Sequence, residues 1–531
     1  MTTAKVRKKS TSHALNQKKK NFLEIFQNYF KNTWKESPPL IKLFKTESKS
    51  YIYDTGTNKI MSCDESIYAL LENLLEKVPS IAVMDFLKIF KWDDLLYAFE
   101  SIQEIMKSQN VLKAIRVRKF GAFDSFEEYE ELITSSTENL CLEICDTCNL
   151  RCAYCVYSDH IPFKRNHGKR SMSIETARLA INYLKYHSSK TTKTGISFYG
   201  GEPLCNFNLI QELVPYASSL INDKPLSFSL TTNATLLAPE MADFFKNNNF
   251  SLLISIDGPK EIHDKCRKDL KGDGSFERVI NGLHCLFDTY GEAFIEKVHL
   301  NMVYTPPWSS QRLNRLIQLW DEIPWLPRNI RLNISYPSRG TLLPEKFLPN
   351  NNSEDKNLQE WSYEVFKAKF QGKNNSNPIA NYVMERNMAS IMKRLIYTEP
   401  LERYALNGCC IPGVRKLFVS VDGTFHLCER ICSDAPAIGN VHSGLDMEVI
   451  KKIYIDEYTR VITPNCSRCW AVGLCRNCYI DAFNNGKLDI KNRVNQCTVE
   501  KQSLERLLTY YCSLMEQYAQ ELKYLYDYEL L

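Results

Sequence analysis

The chain has 531 residues, a net charge of +5 and 44% hydrophobic residues. A chain of this length usually folds into about two to four domains. The small net charge gives no support for a nucleic-acid partner. The sequence contains no run of eighteen apolar residues, so we expect no membrane span. Nineteen cysteines without a secretory signal favour metal binding in the reducing cytoplasm over disulfide bonds.

The N-terminal part predicts a small α+β domain. Residues 1–20 are basic without an apolar core, so we expect a disordered basic tail. Residues 21–34 have helical spacing, and the alternating stretch 50–62 predicts a β-hairpin that turns at 55–58. Helical patterns follow at 65–78, 83–90 and 93–108. These elements define a first domain over 21–135.

Residues 136–340 predict an α/β domain, because short apolar runs alternate with amphipathic helical stretches. Strands are predicted at 140–144, 196–199, 227–230, 252–256, 298–303 and 330–334. Helices are predicted near 173–187, 208–222, 238–248, 275–289 and 310–322. This alternation is typical of βαβ units and a parallel sheet, with chemistry at the carboxyl ends of the strands.

Three cysteines follow the first predicted strand of this sheet. Cys148, Cys152 and Cys155 have the spacing CxxxCxxC. Three thiolates can hold three irons of a [4Fe–4S] cluster and leave the fourth iron open, whereas ferredoxin-type clusters use four cysteines. A zinc knuckle is the alternative, but structural zinc usually takes four N or S ligands, and no fourth ligand lies adjacent.

Further polar motifs end the next predicted strands. They are Gly200, Gly201, Glu202 and Pro203 after the second strand, Asn233 after the third, and Ser255, Asp257 and Arg267 at and after the fourth. The glycines allow a close approach to a ligand, and Glu202 can accept from a cationic amine. Arg267 can bind a carboxylate through its planar guanidinium. Simple turns and a surface arginine are the alternative interpretations.

The C-terminal part contains a second group of cysteines. Residues 341–405 predict a helical bridge, with helices at 355–369 and 379–397, and residues 406–531 form the last domain, which ends in a helix over 499–525. Its candidate metal ligands are Cys410, Cys428, Cys432, Cys466, Cys469, Cys475, Cys478 and Cys497. Paired CxxC units also suit zinc, so a zinc ribbon remains an alternative. Glu429 is either a general base or a surface residue paired with Arg430.

The cysteine loop, with Tyr154 before its last cysteine, resembles the signature loop of the radical S-adenosylmethionine (SAM) enzymes. Gly200-Gly201-Glu202-Pro203 resembles the family motif that binds the SAM amino group, and the segment 255–267 resembles one whose serine and arginine lie near the SAM carboxylate. The resemblance implies a partial (β/α)6 TIM barrel. It also implies that the 21–135 domain is a winged-helix-like domain that recognises a leader peptide; a cap that only shields the barrel is the alternative.

The second cysteine group resembles the SPASM extension of peptide-maturing members, which carries two auxiliary [4Fe–4S] clusters. The resemblance assigns the first cluster to Cys410, Cys428 and Cys478, with Cys432, Cys409 or an open iron in the fourth position. It assigns the second cluster to Cys466, Cys469, Cys475 and Cys497. Two residues separate Cys475 from Cys478, whereas the family pattern has three.

The implied function is a radical SAM peptide maturase with three [4Fe–4S] clusters and SAM as cofactors. It would take a hydrogen atom from a residue of a ribosomally made precursor peptide and form a cross-link such as a thioether, with Glu429 as the base. Its partners would be that peptide and an electron donor such as flavodoxin or ferredoxin. The alternatives are a sulfatase-type maturase that makes formylglycine, and a non-catalytic, metal-stabilised module that binds peptides.

Overall fold

The computed structural model describes residues 3–35, 37–113, 117–157, 165–306, 308–337, 357–373, 377–405, 408–432, 434–484 and 486–529. The N-terminal elements are α1 (Thr3–Thr33), β1 (Ile41–Lys45), β2 (Ser50–Asp54), β3 (Lys59–Cys63), α2 (Glu65–Glu76), α3 (Pro79–Phe86) and α4 (Trp92–Gln109). The predicted hairpin is present as β2 and β3. The structure differs at the N-terminus, because α1 begins at Thr3 and includes residues expected to form a disordered tail.

The N-terminal sheet has a third strand that the sequence pattern did not reveal. Its order is β1-β2-β3, so β2 is central and β3 is an edge strand. Ile52 of β2 packs into the N-terminal helical core, whereas Tyr51 and Tyr53 on the opposite face pack with Leu504 and Leu507 near the C-terminus. Burial on both faces therefore ties the N-terminal sheet to the rest of the chain.

Two short elements lead into the barrel, β4 (Lys119–Phe120) and α5 (Phe126–Ser135). The barrel elements are β5 (Asn139–Cys145), α6 (Ile174–Tyr186), β6 (Thr194–Gly200), α7 (Phe207–Leu220), β7 (Leu226–Thr232), α8 (Pro239–Asn247), β8 (Ser251–Ser255), α9 (Lys260–Cys266), α10 (Phe276–Tyr290), α11 (Phe294–Lys297), β9 (Val298–Val303), α12 (Ser310–Leu316), α13 (Leu319–Glu322) and β10 (Leu332–Ser335). Strands β5 to β10 pair in sequential order and in parallel. The predicted six-stranded partial barrel is confirmed.

The bridge and C-terminal elements follow. They are α14 (Leu358–Phe370), α15 (Pro378–Met392), β11 (Arg403–Tyr404), β12 (Leu417–Val419), β13 (Thr424–His426), β14 (Gly439–Asn440), β15 (Gly444–Leu445), α16 (Met447–Val449), a π-helical stretch (Ile450–Glu457), α17 (Tyr458–Cys466), β16 (Phe483–Asn484), β17 (Lys487–Leu488) and α18 (Ile490–Tyr518). The last helix begins before the predicted residue 499, so Cys497 lies on it. No helix in the described ranges is long and apolar enough to cross a membrane.

The C-terminal module is not separate from the barrel sheet. Strand β12 pairs in parallel with β5, with Phe418 opposite Cys141. The antiparallel strands β13, β14 and β15 then extend the sheet to ten strands. The turn between β12 and β13 contains Gly423, whose φ of +84° favours glycine. Cys428 and Glu429 follow this hairpin and therefore lie beside the first barrel strand.

Candidate active site

The three cysteines of the CxxxCxxC loop lie together after β5. Cys148 is buried, and electrostatic interactions with Cys152 and Cys155 raise its pKa in addition to the larger effect of burial. The backbone N–H of Leu150 approaches the Cys148 sulfur at 3.4 Å, and that of Tyr157 approaches the Cys155 sulfur at the same distance. Backbone donors aimed at sulfur fit thiolates that carry charge when they bind iron.

Gly200 and Gly201 bring the end of β6 against this loop. Gly200 has a φ of +140°, and a Cβ atom there would lie 2.2 Å from the carbonyl oxygen of Cys145. A Cβ atom on Gly201 would lie 2.3 Å from the carbonyl oxygen of Thr147. The glycines are thus required for backbone packing behind the cysteine loop, which the sequence interpretation, based on close approach to a ligand, did not anticipate.

Glu202 is buried and accepts hydrogen bonds from three donors. The Thr232 hydroxyl lies 2.6 Å from Oε1, the Asn233 N–H 2.7 Å from Oε2 and the Leu204 N–H 3.1 Å from Oε1. Burial raises the pKa of Glu202 to about 7, although these hydrogen bonds oppose the rise. Pro203, the next residue, begins a buried 3-10 turn that orients the carboxylate.

Asn233 connects the end of β7 to the cysteine loop. Its side-chain Nδ2 donates to Oδ1 of Asn149 at 3.0 Å and lies 4.0 Å from the sulfur of Cys148. The loop is therefore held by side chains from neighbouring strand ends. This is the arrangement expected at the carboxyl edge of a parallel barrel.

Asp257, Arg267 and Tyr154 form a buried cluster beside Cys152. Asp257 accepts from the Tyr154 hydroxyl, from Nε of Arg267 at 3.0 Å and from the Val303 N–H at 3.0 Å. Nη1 of Arg267 lies 3.9 Å from the sulfur of Cys152. The alternative of a surface arginine is wrong, because Arg267 is only 6% exposed.

His263 and Ser255 complete this part of the site. Burial lowers the pKa of His263 to about 3, so the imidazole is neutral, and Nδ1 accepts from the Asp257 N–H at 3.4 Å. Nε2 lies 3.0 Å from the Ser275 hydroxyl. Ser255 is buried at the end of β8. His263 therefore acts as a neutral support for the segment that presents Asp257.

Glu429 pairs with Lys416, and its side chain is only 17% exposed, so the interpretation of Glu429 as a surface residue is wrong. The Lys416 ammonium lies 3.0 and 3.1 Å from the two carboxylate oxygens. Burial would lower the pKa of Lys416, but the charge of Glu429 and the nearby Cys141 raise it overall. Both residues line a cavity of about 980 Å³ inside the barrel.

Several residues around Glu429 carried no sequence signal. Tyr199 interacts electrostatically with both Glu429 and Cys155, so it lies near the carboxylate and near the cysteine loop. Arg165 donates to the carbonyl oxygen of Glu429 at 2.7 Å and lies 3.7 Å from Glu143. These contacts join residues that are far apart in the sequence, so no local motif could have revealed them.

The cysteines assigned to the second auxiliary cluster lie together. Cys466, Cys469, Cys475 and Cys497 line one pocket. The other three cysteines all contribute to the raised pKa of Cys466, after the larger effect of burial. Helix α17 ends at Cys466, and Cys497 lies on α18, so two helices contribute to the pocket.

The cysteines assigned to the first auxiliary cluster are Cys410, Cys428 and Cys478. Cys428 and Cys478 interact electrostatically, and Cys409 interacts with both Cys478 and Cys410. Cys432 is buried with its sulfur 4.0 Å from the carbonyl oxygen of Phe483. Across the described residues, no three His, Cys, Asp or Glu side chains meet closely enough to hold a single metal ion.

Comparison with known proteins relates the barrel segment of the chain to a family. Residues 142–319 match the family model of the radical SAM superfamily. The segment is therefore a radical SAM domain, and the fold around it is the partial TIM barrel of that superfamily.

Two curated relatives and one solved structure illustrate the similarity. A cysteine-type anaerobic sulfatase-maturating enzyme of Clostridium novyi is 34% identical over 144 residues, which are 26% of this chain and 37% of the relative. The radical SAM cyclopropyl synthase TigE of Paramaledivibacter caminithermalis is 25% identical over 283 residues, which are 50% of this chain and 55% of the relative. The structure of histidine-tagged anSMEcpe with bound AdoMet aligns with a TM-score of 0.51 and 19% identity, over 73% of this chain and 98% of that one.

The chain spans less than half the length of the first curated relatives, with coverage of 48%, 34% and 37%. The N-terminal sheet lies before the radical SAM match, which begins at residue 142. The family match therefore covers the cysteine loop and strands β6 to β9, and it leaves β10, the C-terminal module and the N-terminal sheet to be interpreted from their own structure.

Proposed function

We propose that this protein is a radical SAM maturase that removes a hydrogen atom from a residue of a ribosomally made peptide. One observation carries the proposal: the cysteine loop, Glu202 and the Asp257–Arg267 pair meet at the carboxyl ends of the strands, and Tyr199, which interacts with Cys155 of the loop, lines the same barrel cavity as Glu429. The cavity volume of about 980 Å³ lies at the upper end of the range for ligand sites. It can take a peptide side chain with its flanking backbone.

Cys148, Cys152 and Cys155 fit a [4Fe–4S] cluster, since they lie together in one loop with backbone donors at two sulfurs. Bound there, the cluster would pass one electron from an external donor, such as flavodoxin or ferredoxin, to SAM and so yield methionine and the 5'-deoxyadenosyl radical. Glu202 would accept from the SAM amino group, and Arg267 would face the SAM carboxylate. Tyr154 and Asp257 hold Arg267 in place for this contact.

Glu429 is the proposed base. In thioether formation, the substrate carbon would give a hydrogen atom to the 5'-deoxyadenosyl radical, the substrate thiol would give a proton to Glu429, and an auxiliary cluster would accept the one remaining electron. Lys416 fixes the carboxylate at the cavity wall, where Glu429 would accept the proton. Carbon–sulfur bond formation then balances the atoms and electrons.

The auxiliary sites are proposed to hold two further [4Fe–4S] clusters. Cys466, Cys469, Cys475 and Cys497 fit the second one, since all four line one pocket. Cys410, Cys428 and Cys478 would bind the first, with Cys432, Cys409 or an open iron in the fourth position. We propose that the protein acts in the cytoplasm, which suits its many thiols.

The N-terminal sheet supports peptide recognition. Strand β3 is an edge strand, and a groove of about 1020 Å³ lies beside it, lined by Ser62 and Cys63 of β3 and by Tyr97 and Ser101 of α4. A leader peptide can add a strand to such an edge, with backbone hydrogen bonds for affinity and side-chain pockets for selectivity. The leader would then hold the core peptide near the barrel.

A sulfatase-type maturase is the second candidate, because the C. novyi relative bears that name. Both candidates begin with the same hydrogen-atom removal, and they differ in the product. A non-catalytic peptide-binding module is the third candidate, and it predicts no SAM cleavage.

The test uses anaerobically reconstituted protein with SAM, dithionite and a candidate precursor peptide that contains cysteine. We expect 5'-deoxyadenosine and a peptide lighter by two hydrogen atoms, as measured by mass spectrometry. Conversion of a Cys-x-Pro-x-Arg peptide to formylglycine would support the second candidate. Absence of 5'-deoxyadenosine from iron-loaded protein would refute both enzymatic candidates.

A further inference from the structure

A buried arginine shares the pocket of the second auxiliary cysteine set. Arg493 lines this pocket together with Cys466, Cys469, Cys475 and Cys497. It lies one turn before Cys497 on α18, and the Cys497 thiol approaches its carbonyl oxygen at 3.4 Å. The side chain is 5% exposed. A strongly basic group is thus held inside the candidate cluster site.

The guanidinium of Arg493 is not satisfied by the residues that the structure describes. Its Nε and Nη1 atoms are buried and have no hydrogen-bond partner there. The groups that interact with it most strongly are Tyr458 and the thiols of Cys409, Cys475 and Cys466, in that order, and all of them are neutral when protonated. The carboxylate that lines the same pocket, Glu500, is bound to Arg476 at 3.1 Å.

An anionic group in the pocket would resolve this imbalance. A buried charge is strongly disfavoured unless it is paired and hydrogen-bonded. A [4Fe–4S] cluster held by four thiolates carries net negative charge, and its sulfur atoms accept hydrogen bonds that raise its reduction potential. The unpartnered donors of Arg493 therefore match the group that the four cysteines would hold.

We infer that Arg493 tunes the second auxiliary cluster by donating hydrogen bonds from Nε and Nη1 to its sulfur atoms and by supplying a buried positive charge. The inference rests on the proposed function, because it requires a cluster at these cysteines. Removal of the arginine should make the cluster harder to reduce, since the reduced state carries the greater negative charge.

Arg493 also lies toward the first auxiliary set. Its guanidinium carbon is 5.8 Å from the ring centre of Tyr458, and the Tyr458 hydroxyl lies 3.4 Å from the sulfur of Cys409. Arg493 and Tyr458 therefore stand between the two cysteine sets. We expect the larger effect of Arg493 on the second cluster and a smaller effect, through space, on the first.

The experiment uses full-length protein in which Cys148, Cys152 and Cys155 are replaced by alanine, so that only the auxiliary clusters contribute to the EPR signal. Potentials are measured by EPR-monitored titration with dithionite. Arg493→Met should lower one midpoint potential, with about a tenfold change in the ratio of reduced to oxidised cluster at a fixed solution potential, or about 59 mV for a one-electron couple. Arg493→Lys should give a smaller shift, because lysine keeps the charge but not the planar donor set.

Arg460→Met is the matched control. Arg460 is an exposed arginine on α17, the helix that ends at Cys466; its Nη2 lies 3.9 Å from Glu457, and it does not line the pocket of the second cysteine set. Both midpoint potentials should stay at their parent values in this variant. A shift equal to that of Arg493→Met would show a general charge effect and overturn the specific role of Arg493.

A second readout needs no substitution. In the parent protein labelled with ¹⁵N-arginine, the reduced cluster should show ¹⁵N and exchangeable-proton couplings by pulsed EPR. Absence of both couplings would overturn the inference even if Arg493 variants fail to assemble. The inference would also be overturned if an Arg493→Met protein that retains about eight irons showed the same midpoint potentials as the parent protein. If the parent protein bound no iron at the auxiliary cysteines, the assignment of the auxiliary clusters would be refuted, and this result is distinct from failure of the role proposed for Arg493.

Discussion

The ammonium of Lys416 lies 3.0 and 3.1 Å from the two carboxylate oxygens of Glu429. Lys416 comes directly before β12, and Glu429 comes shortly after β13, so the ion pair joins the two ends of one hairpin. The hairpin is anchored to β5, the strand that leads into the cysteine loop. The candidate base therefore keeps a fixed position relative to the site of radical formation.

Replacement of this base should separate SAM cleavage from product formation. Glu429→Gln should still produce 5'-deoxyadenosine, because the cysteine loop is unchanged, but peptide modification should fall by about 10²–10⁴-fold. Glu448→Gln, an exposed position in the same module, is the control and should retain full yield. If the Glu429→Gln variant gave the same product yield as the parent protein, Glu429 would have a structural role only.

Iron content tests the three cluster sites together. The reconstituted protein should hold about twelve irons, and the variant with Cys148, Cys152 and Cys155 changed to alanine should hold about eight, at four irons per cluster. Metal analysis and EPR provide the measurement. Stoichiometric zinc in the C-terminal module would refute the auxiliary clusters.

Gly200 should be required for the first cluster. A methyl group at this position would collide with the carbonyl oxygen of Cys145, so Gly200→Ala should displace the cysteine loop and reduce the iron content from about twelve to about eight. Gly272→Ala separates this steric effect from backbone strain, because Gly272 also has a positive φ but has no atom within 4 Å of the added methyl. Equal iron content in the two variants would contradict the packing role of Gly200.

SAM affinity should depend on pH through Glu202. Burial raises its pKa to about 7, so the carboxyl is protonated below that pH and ionised above it. Only the ionised form attracts the SAM ammonium, so affinity measured by calorimetry should rise from about pH 6 to about pH 7.5, where an α-amino group with a pKa of roughly 7.7–8.0 begins to lose its own proton. The Glu202→Gln variant should bind SAM more weakly, and its SAM affinity should not change with pH in this range. If the variant keeps the pH dependence of the parent protein, that dependence comes from another group.

Leader recognition should depend on the edge of β3. Ile60→Pro removes one backbone donor from this strand, whereas Ile60→Ala changes the side chain and keeps the donor. The proline variant should lose leader-dependent modification of the precursor while SAM cleavage without modification persists. Ile52→Pro is a harsher change, because Ile52 lies on the central strand β2 and is buried. Efficient modification of a core peptide without its leader would contradict the recognition role.

Much of the barrel could be predicted because its signals are local. Strand–helix alternation and the spacing of Cys148, Cys152 and Cys155 are properties of short segments, and the structure places those segments as expected. The contact of Lys416 with Glu429 depends on a hairpin that joins the barrel sheet, so no periodicity could reveal it. Strand β1 was missed because its assignment depends on its pairing with β2, which the three-stranded sheet shows and the sequence of residues 41–45 does not.

The pairing of β12 with β5 has a consequence for the integrity of isolated fragments. A chain cut in the helical bridge would leave β5, whose residues from Leu140 to Cys145 are almost fully buried, as an unpaired sheet edge. Exposed apolar edges pair with other chains and lead to aggregation. The barrel of this protein therefore needs its C-terminal module as a covering strand as well as a source of cysteines, and the two parts should fold and unfold as one cooperative unit.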